Sequence, residues 1–278
     1  MRTAEYGKKP LWITSPLVLC VLAIGVLAAW PYLFGTYGYP SGAVPFDYKV
    51  VLFLNRFAHR SWAFDTFVGL LDSNPLAMAP VVLAFWWAWF RKSKSQVRDR
   101  EYLIFGIVGT GGAVLTARIV AAVLPFRERP LRNPLLHFQL PYGVHPERLL
   151  GWNSFPSDHG ALWFALAATL LCVSRRAGIL LFLYVSGVLA VARIYLGIHY
   201  PGDIIAGGLL GIAAISLVRS EGLRGRISRP LLAWMESAPQ AFYACLFAVT
   251  FEMTECFASV VQIGIYVHTT SRALLHFL

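Results

Sequence analysis

Long apolar runs separated by short charged segments dominate the pattern of this chain. A helix needs about 20 mostly apolar residues to cross the hydrocarbon core of a membrane. We therefore predict six spanning helices, at residues 11–34, 74–90, 103–124, 160–173, 178–196 and 203–218. The fourth run is short and must extend by about a turn at each end to span. The predicted fold class is all-α, a polytopic membrane helix bundle with a six-span core.

Two further segments carry a helical pattern. Residues 241–267 are a weaker, seventh candidate, with Glu252 and Glu255 three apart and therefore on one face. Because bare carboxylates are costly in lipid, that face should meet the protein core, a partner subunit or water, and the segment either spans or is half inserted. Residues 46–71 mix apolar and basic positions, which is typical of one or two amphipathic helices on the membrane surface.

The first apolar run has a basic start, as in a secretory signal peptide. At 24 residues it is longer than the apolar region of such a peptide, and no clear cleavage site follows it, so we expect a retained helix. More than half of the 24 Lys and Arg residues fall on the side of the N-terminus when the spans alternate. The positive-inside bias then predicts a cytoplasmic N-terminus in the plasma (inner) membrane and phosphate-binding segments on the outer side.

Composition agrees with a membrane protein and excludes other classes. Hydrophobic residues make up 57% of the 278 positions and charged residues only 14%, whereas soluble domains carry about a quarter. The net charge of +10 does not indicate nucleic acid as a partner, because the basic residues form short clusters and no single stripe or tail. The four cysteines lie in apolar segments without ligand spacing, which predicts inert thiols and neither a disulfide framework nor a metal site.

This pattern divides the chain into three parts. Residues 1–101 hold the N-terminal spans and the amphipathic segment, 102–218 form a core with the candidate chemistry, and 219–278 are a C-terminal extension. The oligomeric state stays open.

Charged residues in the core lie at the ends of spans, where a membrane makes them costly and function usually explains them. His199 and Asp203 are four apart, and Pro201 between them places Asp203 in the first turn of the sixth span. A carboxylate there can accept from one imidazole nitrogen and leave the other free to attack phosphorus. Arg193, six residues before His199, can pair with phosphate oxygens.

A second polar cluster opens the fourth span. Ser157 and His159 lie at the start of this helix, where backbone N–H groups and the helix dipole favour an anion. Ser157 can donate through its hydroxyl, and His159 can hand a proton to a leaving oxygen. Arg127 and Arg129 add guanidinium donors for the charge of a transition state. With His199, these are the parts of a phosphoryl-transfer site that needs no metal and no cofactor.

These motifs resemble those of the type 2 phosphatidic acid phosphatases, membrane relatives of the vanadium haloperoxidases and bacterial acid phosphatases. The family carries Lys-x6-Arg-Pro, then Pro-Ser-Gly-His, then Ser-Arg-x5-His-x3-Asp. The third motif matches here at Arg193, His199 and Asp203, with Ala192 in place of the serine. The resemblance covers roughly residues 103–218.

The other two motifs depart from the family pattern. The second matches at Pro156, Ser157 and His159, but Asp158 stands in place of glycine. The first matches only at Arg129 and the following proline, and Ala122 occupies the position of the lysine.

The resemblance implies a role for each matched residue. His199 would be the nucleophile that forms a phosphohistidine, Asp203 would orient it, and His159 would be the general acid. The phosphate would be held, without a metal, by Arg129, Arg193 and Ser157.

Two departures need an explanation. The charge of the missing lysine could come from Arg127, which we prefer because its loop is at the site, or from Arg118, one turn before Ala122. The second motif with Asp158, Ser-Phe-Pro-Ser-Asp-His, resembles that of the subgroup acting on undecaprenyl diphosphate. It should weaken phosphate binding unless a neighbouring arginine pairs with it.

The sequence therefore predicts an enzyme that hydrolyses a phosphate or diphosphate on a lipid headgroup, with a polyprenyl diphosphate favoured. Phosphatidate, phosphatidylglycerophosphate and lipid A phosphate stay open as substrates. A lipid phosphotransferase is a second enzyme class, and a non-enzymatic lipid-binding or transport relative is a third interpretation. The retained histidines speak against the last, because a binder needs no nucleophile.

Overall fold

The computed structural model describes residues 45–260, without the side chain of 219, and the single positions 18, 22, 23, 25, 29, 262, 263 and 266. The predicted span 11–34 and its alternative as a signal peptide fall largely outside these residues. Every regular element in the described part is helical, in agreement with the predicted all-α class. The helices are α1 Pro45–Asn55, α2 Trp62–Ser73, α3 Ala79–Phe90, α4 Gln96–Val123, α5 Asp158–Val173, α6 Arg175–Tyr195 with an internal π-turn, α7 Pro201–Ser216, α8 Glu221–Ser237 and α9 Pro239–Thr254.

Two of these helices, α4 and α6, are long and apolar enough to cross a membrane. The number rises to four if each of two bent helix pairs counts as one span, and the first of these pairs, α2 with the segment Pro75–Phe90, bends by 69°. Helix α5 has 16 residues and does not gain the extra turn at each end that a span requires. Helix α4 begins seven residues earlier than the predicted start at 103. The six-span count therefore stays a prediction.

The amphipathic segment 46–71 forms two helices, α1 and α2, but these are not only surface elements. Asp47 in α1 and Asp65 in α2 are fully buried. Asp65 accepts hydrogen bonds from the backbone N–H of His59 at 2.9 Å and of Tyr142 at 2.8 Å. The segment is thus fixed to the loops beside the core, because buried carboxylates require such partners.

Helices α5 and α7 pack with their backbones in close contact, and glycine makes this approach possible. A Cβ atom at Gly207 would lie 2.0 Å from the carbonyl oxygen of Ser157, and one at Gly211 would lie 2.2 Å from that of Ala161. Small residues allow such approach between helices in membranes. The packing holds the N-termini of both helices together, and the Ser157 N–H donates to the Asp203 carbonyl at 3.0 Å.

The C-terminal candidate 241–267 is not one continuous helix. Helix α9 ends at Thr254, and Cys256 and Phe257 take positive φ angles of 50° and 59° before helical structure resumes at residue 258. At this break, Glu255 forms part of the wall of a polar cavity. The predicted meeting of the carboxylate face with the protein core therefore holds for Glu255.

We predict that Gly211→Ala destabilises the protein by about 1–3 kcal/mol, because the new methyl group overlaps the α5 backbone. The matched control is Gly112→Ala on α4, where a Cβ atom meets nothing within 4 Å. Thermal unfolding in detergent should show a lower midpoint for Gly211→Ala and an equal or higher one for the control. Equal midpoints for Gly211→Ala and the parent would contradict the close packing.

Candidate active site

Four pieces of chain meet at the N-terminal ends of α5 and α7: the two helix N-termini, the loop 196–200 and the loop that follows α4. Gly197 shapes the loop 196–200, with a φ of +69° that favours glycine. A Cβ atom there would lie 2.7 Å from the ring of Phe138. The Gly197 carbonyl accepts from the Leu131 N–H at 3.0 Å. The two loops are thereby joined, and His199 is directed inward and is buried.

The hydrogen bonds of His199 fix its tautomer. Its Nδ1 lies 2.9 Å from the carbonyl oxygen of Ser154, and since a carbonyl can only accept, Nδ1 carries the proton. Asp203 Oδ2 is further away, at 3.4 Å from Nδ1. The lone pair is then on Nε2, which lies 3.4 Å from Arg129 Nη1. Burial and the nearby Arg129 charge lower the pKa of His199 to about 4, so the ring is neutral at pH 7.

Asp203 is a fully buried carboxylate whose oxygens are all occupied. Oδ2 accepts from the Ser154 hydroxyl at 2.5 Å and from the Tyr200 N–H at 2.8 Å. Oδ1 accepts from Arg127 Nη1. Asp203 therefore fixes the loop that carries His199 as well as the helix that follows it.

Arg127 lies behind this carboxylate and away from the cavity. Its Nη2 donates to Asp47 Oδ2 at 2.6 Å, and the other oxygen of Asp47 accepts from the Gly202 N–H at 2.8 Å. Burial alone would lower the pKa of the Arg127 guanidinium, but the Asp203 and Asp47 carboxylates outweigh it and raise the pKa. Both terminal nitrogens of Arg127 bind carboxylates, and the phosphate contact expected of this residue stays a prediction.

Arg129 borders the free nitrogen of His199. It donates from Nη1 to the Ile198 carbonyl at 2.7 Å and from Nη2 to the Asn153 carbonyl at 3.2 Å. Burial lowers the pKa of Arg129 to about 10, so the guanidinium stays charged at pH 7. Arg129 is thus a fixed cation next to the atom that could attack phosphorus.

His159 pairs with the carboxylate of Asp158, and the same carboxylate binds Arg118. His159 Nδ1 lies 2.8 Å from Asp158 Oδ1, and Arg118 Nε lies 3.1 Å from Asp158 Oδ2. Arg118 also donates to the Cys256 carbonyl at 2.5 Å. Arg118 therefore offsets the negative charge that Asp158 adds and ties the C-terminal segment to the site.

Arg193 lies on a cavity of about 340 Å³ that is also lined by His159, Trp163, Asp72, Arg148 and Glu255. Arg193 Nε is 2.7 Å from Asp72 Oδ1, as an ion pair without directed hydrogen-bond geometry. Ser157 caps α5 by accepting from the Gly160 N–H at 3.2 Å and is buried. Its hydroxyl proton is still available for a ligand.

Three potential metal ligands also meet here. The ligand atoms of Asp158, His159 and Cys256 lie within 4.8 Å of one another. The turn after α9 brings Cys256 next to Asp158 and His159, which are far away in the sequence, and the expectation that the cysteines form no metal site stays a prediction. Arg118 competes with a cation for Asp158, since it already binds that carboxylate.

Sequence reasoning missed Asp47, Asp72, Ser154 and Arg148. Asp47 lies within the amphipathic segment 46–71 and Asp72 directly follows it, each as an isolated acidic residue. This isolation was the signal in the sequence that they could be buried. Ser154 and Arg148 lie in a loop with no motif of its own, and nothing in the sequence distinguishes them.

Part of this chain is similar in sequence to known proteins. Residues 103–221 match the model of the PAP2 superfamily. The chain is 27% identical over 125 residues to the bacitracin transport permease protein BcrC of Bacillus licheniformis, covering 44% of this chain and just over half (56%) of that protein. It is 26% identical over 172 residues to the undecaprenyl-diphosphatase BcrC of Bacillus subtilis, covering 61% of this chain and 79% of that protein.

A solved structure is also similar, that of a transmembrane PAP2-type phosphatidylglycerolphosphate phosphatase from Bacillus subtilis. The TM-score is 0.49 and the identity 18%, over 77% of this chain and 98% of the other. The apolar helices of the fold and the relatives together indicate an integral membrane protein.

We predict that Arg127→Lys leaves the affinity for inorganic vanadate within about threefold but lowers thermal stability, since altering a buried ion pair is costly. Arg193→Lys is the matched control and should weaken vanadate binding about tenfold or more, because it removes a guanidinium from the cavity. Both affinities can be measured by calorimetry in detergent. Weaker vanadate binding in Arg127→Lys than in Arg193→Lys would return a phosphate contact to Arg127.

We predict that His199 stays neutral down to about pH 5, in line with its lowered pKa of about 4. The unfolded chain binds a proton near pH 6.5, so this residue makes the folded state less stable as the pH falls from about 6.5 towards 4. Nitrogen-15 NMR of histidine-labelled protein, with His199→Gln to assign the signal, measures the titration. A midpoint at or above pH 6.5 would contradict the buried, neutral ring.

Proposed function

We propose, from the premise that residues 103–221 form a PAP2 superfamily domain, that this integral membrane protein hydrolyses a phosphate or diphosphate of a lipid headgroup. The observation that carries the proposal is the fixed tautomer of His199: its Nδ1 proton is held by the Ser154 carbonyl at 2.9 Å. The Nε2 lone pair is thereby left free beside a charged arginine. A neutral, oriented imidazole is the form that attacks phosphorus.

In the first step, His199 Nε2 forms a bond to phosphorus and the bond from phosphorus to the lipid oxygen breaks. His159 gives a proton to the leaving oxygen, and a phosphohistidine remains. The developing charge on the phosphate oxygens meets Arg129, Arg193 and Ser157 together with the N-terminus of α5. In the second step, water loses a proton to His159 and attacks the phosphohistidine, which releases inorganic phosphate and restores His199.

Asp203 and Asp158 serve the two histidines in different ways. Asp203 stabilises the positive charge on the phosphorylated ring of His199 and keeps its loop in place. Asp158 accepts from His159 Nδ1 and so opposes the burial and the Arg193 charge that lower the pKa of His159. Arg127 acts as a positioning residue through its contact with Asp203.

The reaction is proposed to proceed without a metal. The guanidinium groups of Arg129 and Arg193 supply the positive charge that a metal would otherwise bring to phosphate oxygens. The cluster of Asp158, His159 and Cys256 is engaged instead in the hydrogen bond and the ion pair described above.

A polyprenyl diphosphate is the favoured substrate. It is supported by Asp158 in the second motif and by the similarity to the undecaprenyl-diphosphatase of Bacillus subtilis. The site is proposed to face the outer side of the inner membrane, with the N-terminus in the cytoplasm, as the bias of basic residues indicates.

The purified parent protein should release inorganic phosphate from lipid phosphates in detergent, with EDTA present. His199→Ala should lower this rate by about a thousandfold or more, because a nucleophile acts as a unit with its partners. The control Cys245→Ser, at an exposed position on α9, should keep the parent rate. An active His199→Ala, or loss of parent activity in EDTA with recovery on added magnesium, would overturn the proposal.

A further inference from the structure

Arg148 is a cation of the active-site cavity that no motif predicts. It lines the same cavity as His159 and Arg193. Its Nη2 pairs with Asp72 Oδ2, while Arg193 pairs with the other oxygen of Asp72. One carboxylate thus holds two guanidinium groups side by side.

The two arginines differ in depth. The side chain of Asp72 has 0% exposure, that of Arg193 has 9% and that of Arg148 has 31%. Arg193 is therefore the inner cation of the pair and Arg148 is the outer one, nearer to the solvent-exposed side of the cavity. A group that Arg148 binds would lie outward from a group bound by Arg193.

The loop that carries Arg148 is held in a defined position. Arg132 donates to the carbonyl oxygens of Arg148 at 2.9 Å and Leu149 at 3.2 Å. The Arg132 side chain is itself bound to Glu128 at 2.7 Å. Arg148 is therefore presented to the cavity by a fixed backbone, as preorganised anion binding requires.

Two other arginines near the site already bind carboxylates. Arg127 binds two carboxylates, and Arg118 binds Asp158 and a backbone carbonyl. Arg148 shares its single carboxylate with Arg193, so one carboxylate meets two guanidinium groups and positive charge remains for a ligand. A guanidinium can bind phosphate oxygens with two parallel hydrogen bonds.

We propose that Arg148 binds a second phosphate group, the one that stays on the lipid after cleavage, and so selects diphosphates over monophosphates. The inference rests on the proposed function and names the substrate class of the same site. With the transferred phosphate at Arg193 and His199, the adjoining phosphate of a diphosphate extends outward to Arg148. Asp72 is a positioning residue that orients both arginines.

The test compares farnesyl phosphate with farnesyl diphosphate as substrates of the full chain in detergent. Arg148→Ala should lower kcat/KM for the diphosphate by about 10-fold to 100-fold, as expected for a lost charge-assisted hydrogen bond. It should leave kcat/KM for the monophosphate within about threefold of the parent value. Arg148→Lys should recover part of the loss, and Arg60→Ala, an exposed arginine beside Phe57, should change neither substrate.

Asp72→Asn supplies the second measurement. It should lower kcat/KM for both substrates, since it also releases Arg193. Equal losses for both substrates in Arg148→Ala, no loss for either, a parent enzyme that prefers the monophosphate, or an Asp72→Asn variant with parent kinetics would each overturn the inference. In all of these cases the phosphatase itself is active, whereas failure of the proposed function would appear as a parent protein that releases no phosphate.

Discussion

The ion pairs of Arg127 with Asp47 and Asp203 are the contacts on which the rest of the site depends. All three side chains are removed from water, and an unpaired buried charge would cost several kcal/mol. The two carboxylates come from α1 and α7, and the arginine comes from the loop after α4. A single guanidinium therefore fixes three pieces of chain that are distant in sequence. His199 depends on this arrangement, because its loop is bound to Asp203 through the Tyr200 N–H.

The two histidines sit in environments that suit different steps. The His199 side chain has 3% exposure and meets a carboxylate with 0%, whereas His159 and its carboxylate have 25% and 23%. A nucleophile benefits from a dry environment that keeps its ring neutral, whereas an acid must exchange protons with water in every turnover. Each carboxylate also binds an arginine: Asp158 pairs with Arg118, whereas Asp203 shares Arg127 with Asp47.

Local patterns predicted a large part of this molecule. His199 and Asp203 lie next to each other in the structure, with Nδ1 3.4 Å from Oδ2, because a short loop and a helix N-terminus keep near neighbours close. The helical class also follows from the apolar runs. The role of Arg127 could not be predicted in this way, because sequence spacing does not say which side of a carboxylate an arginine approaches. The break at Cys256 was equally hidden, since nothing in an apolar run indicates a positive φ angle.

The wall of the cavity shows how segments outside the core adjust the chemistry. Two guanidinium groups repel each other, and Asp72 keeps Arg148 and Arg193 together, so the free energy that it costs to bring the two charges together is met by folding. Glu255 brings a carboxylate to the same cavity from the segment that Arg118 ties down through the Cys256 carbonyl. A carboxylate at this position repels anions that are not paired with Arg148 or Arg193. The C-terminal segment thereby contributes a carboxylate to the wall of this cavity.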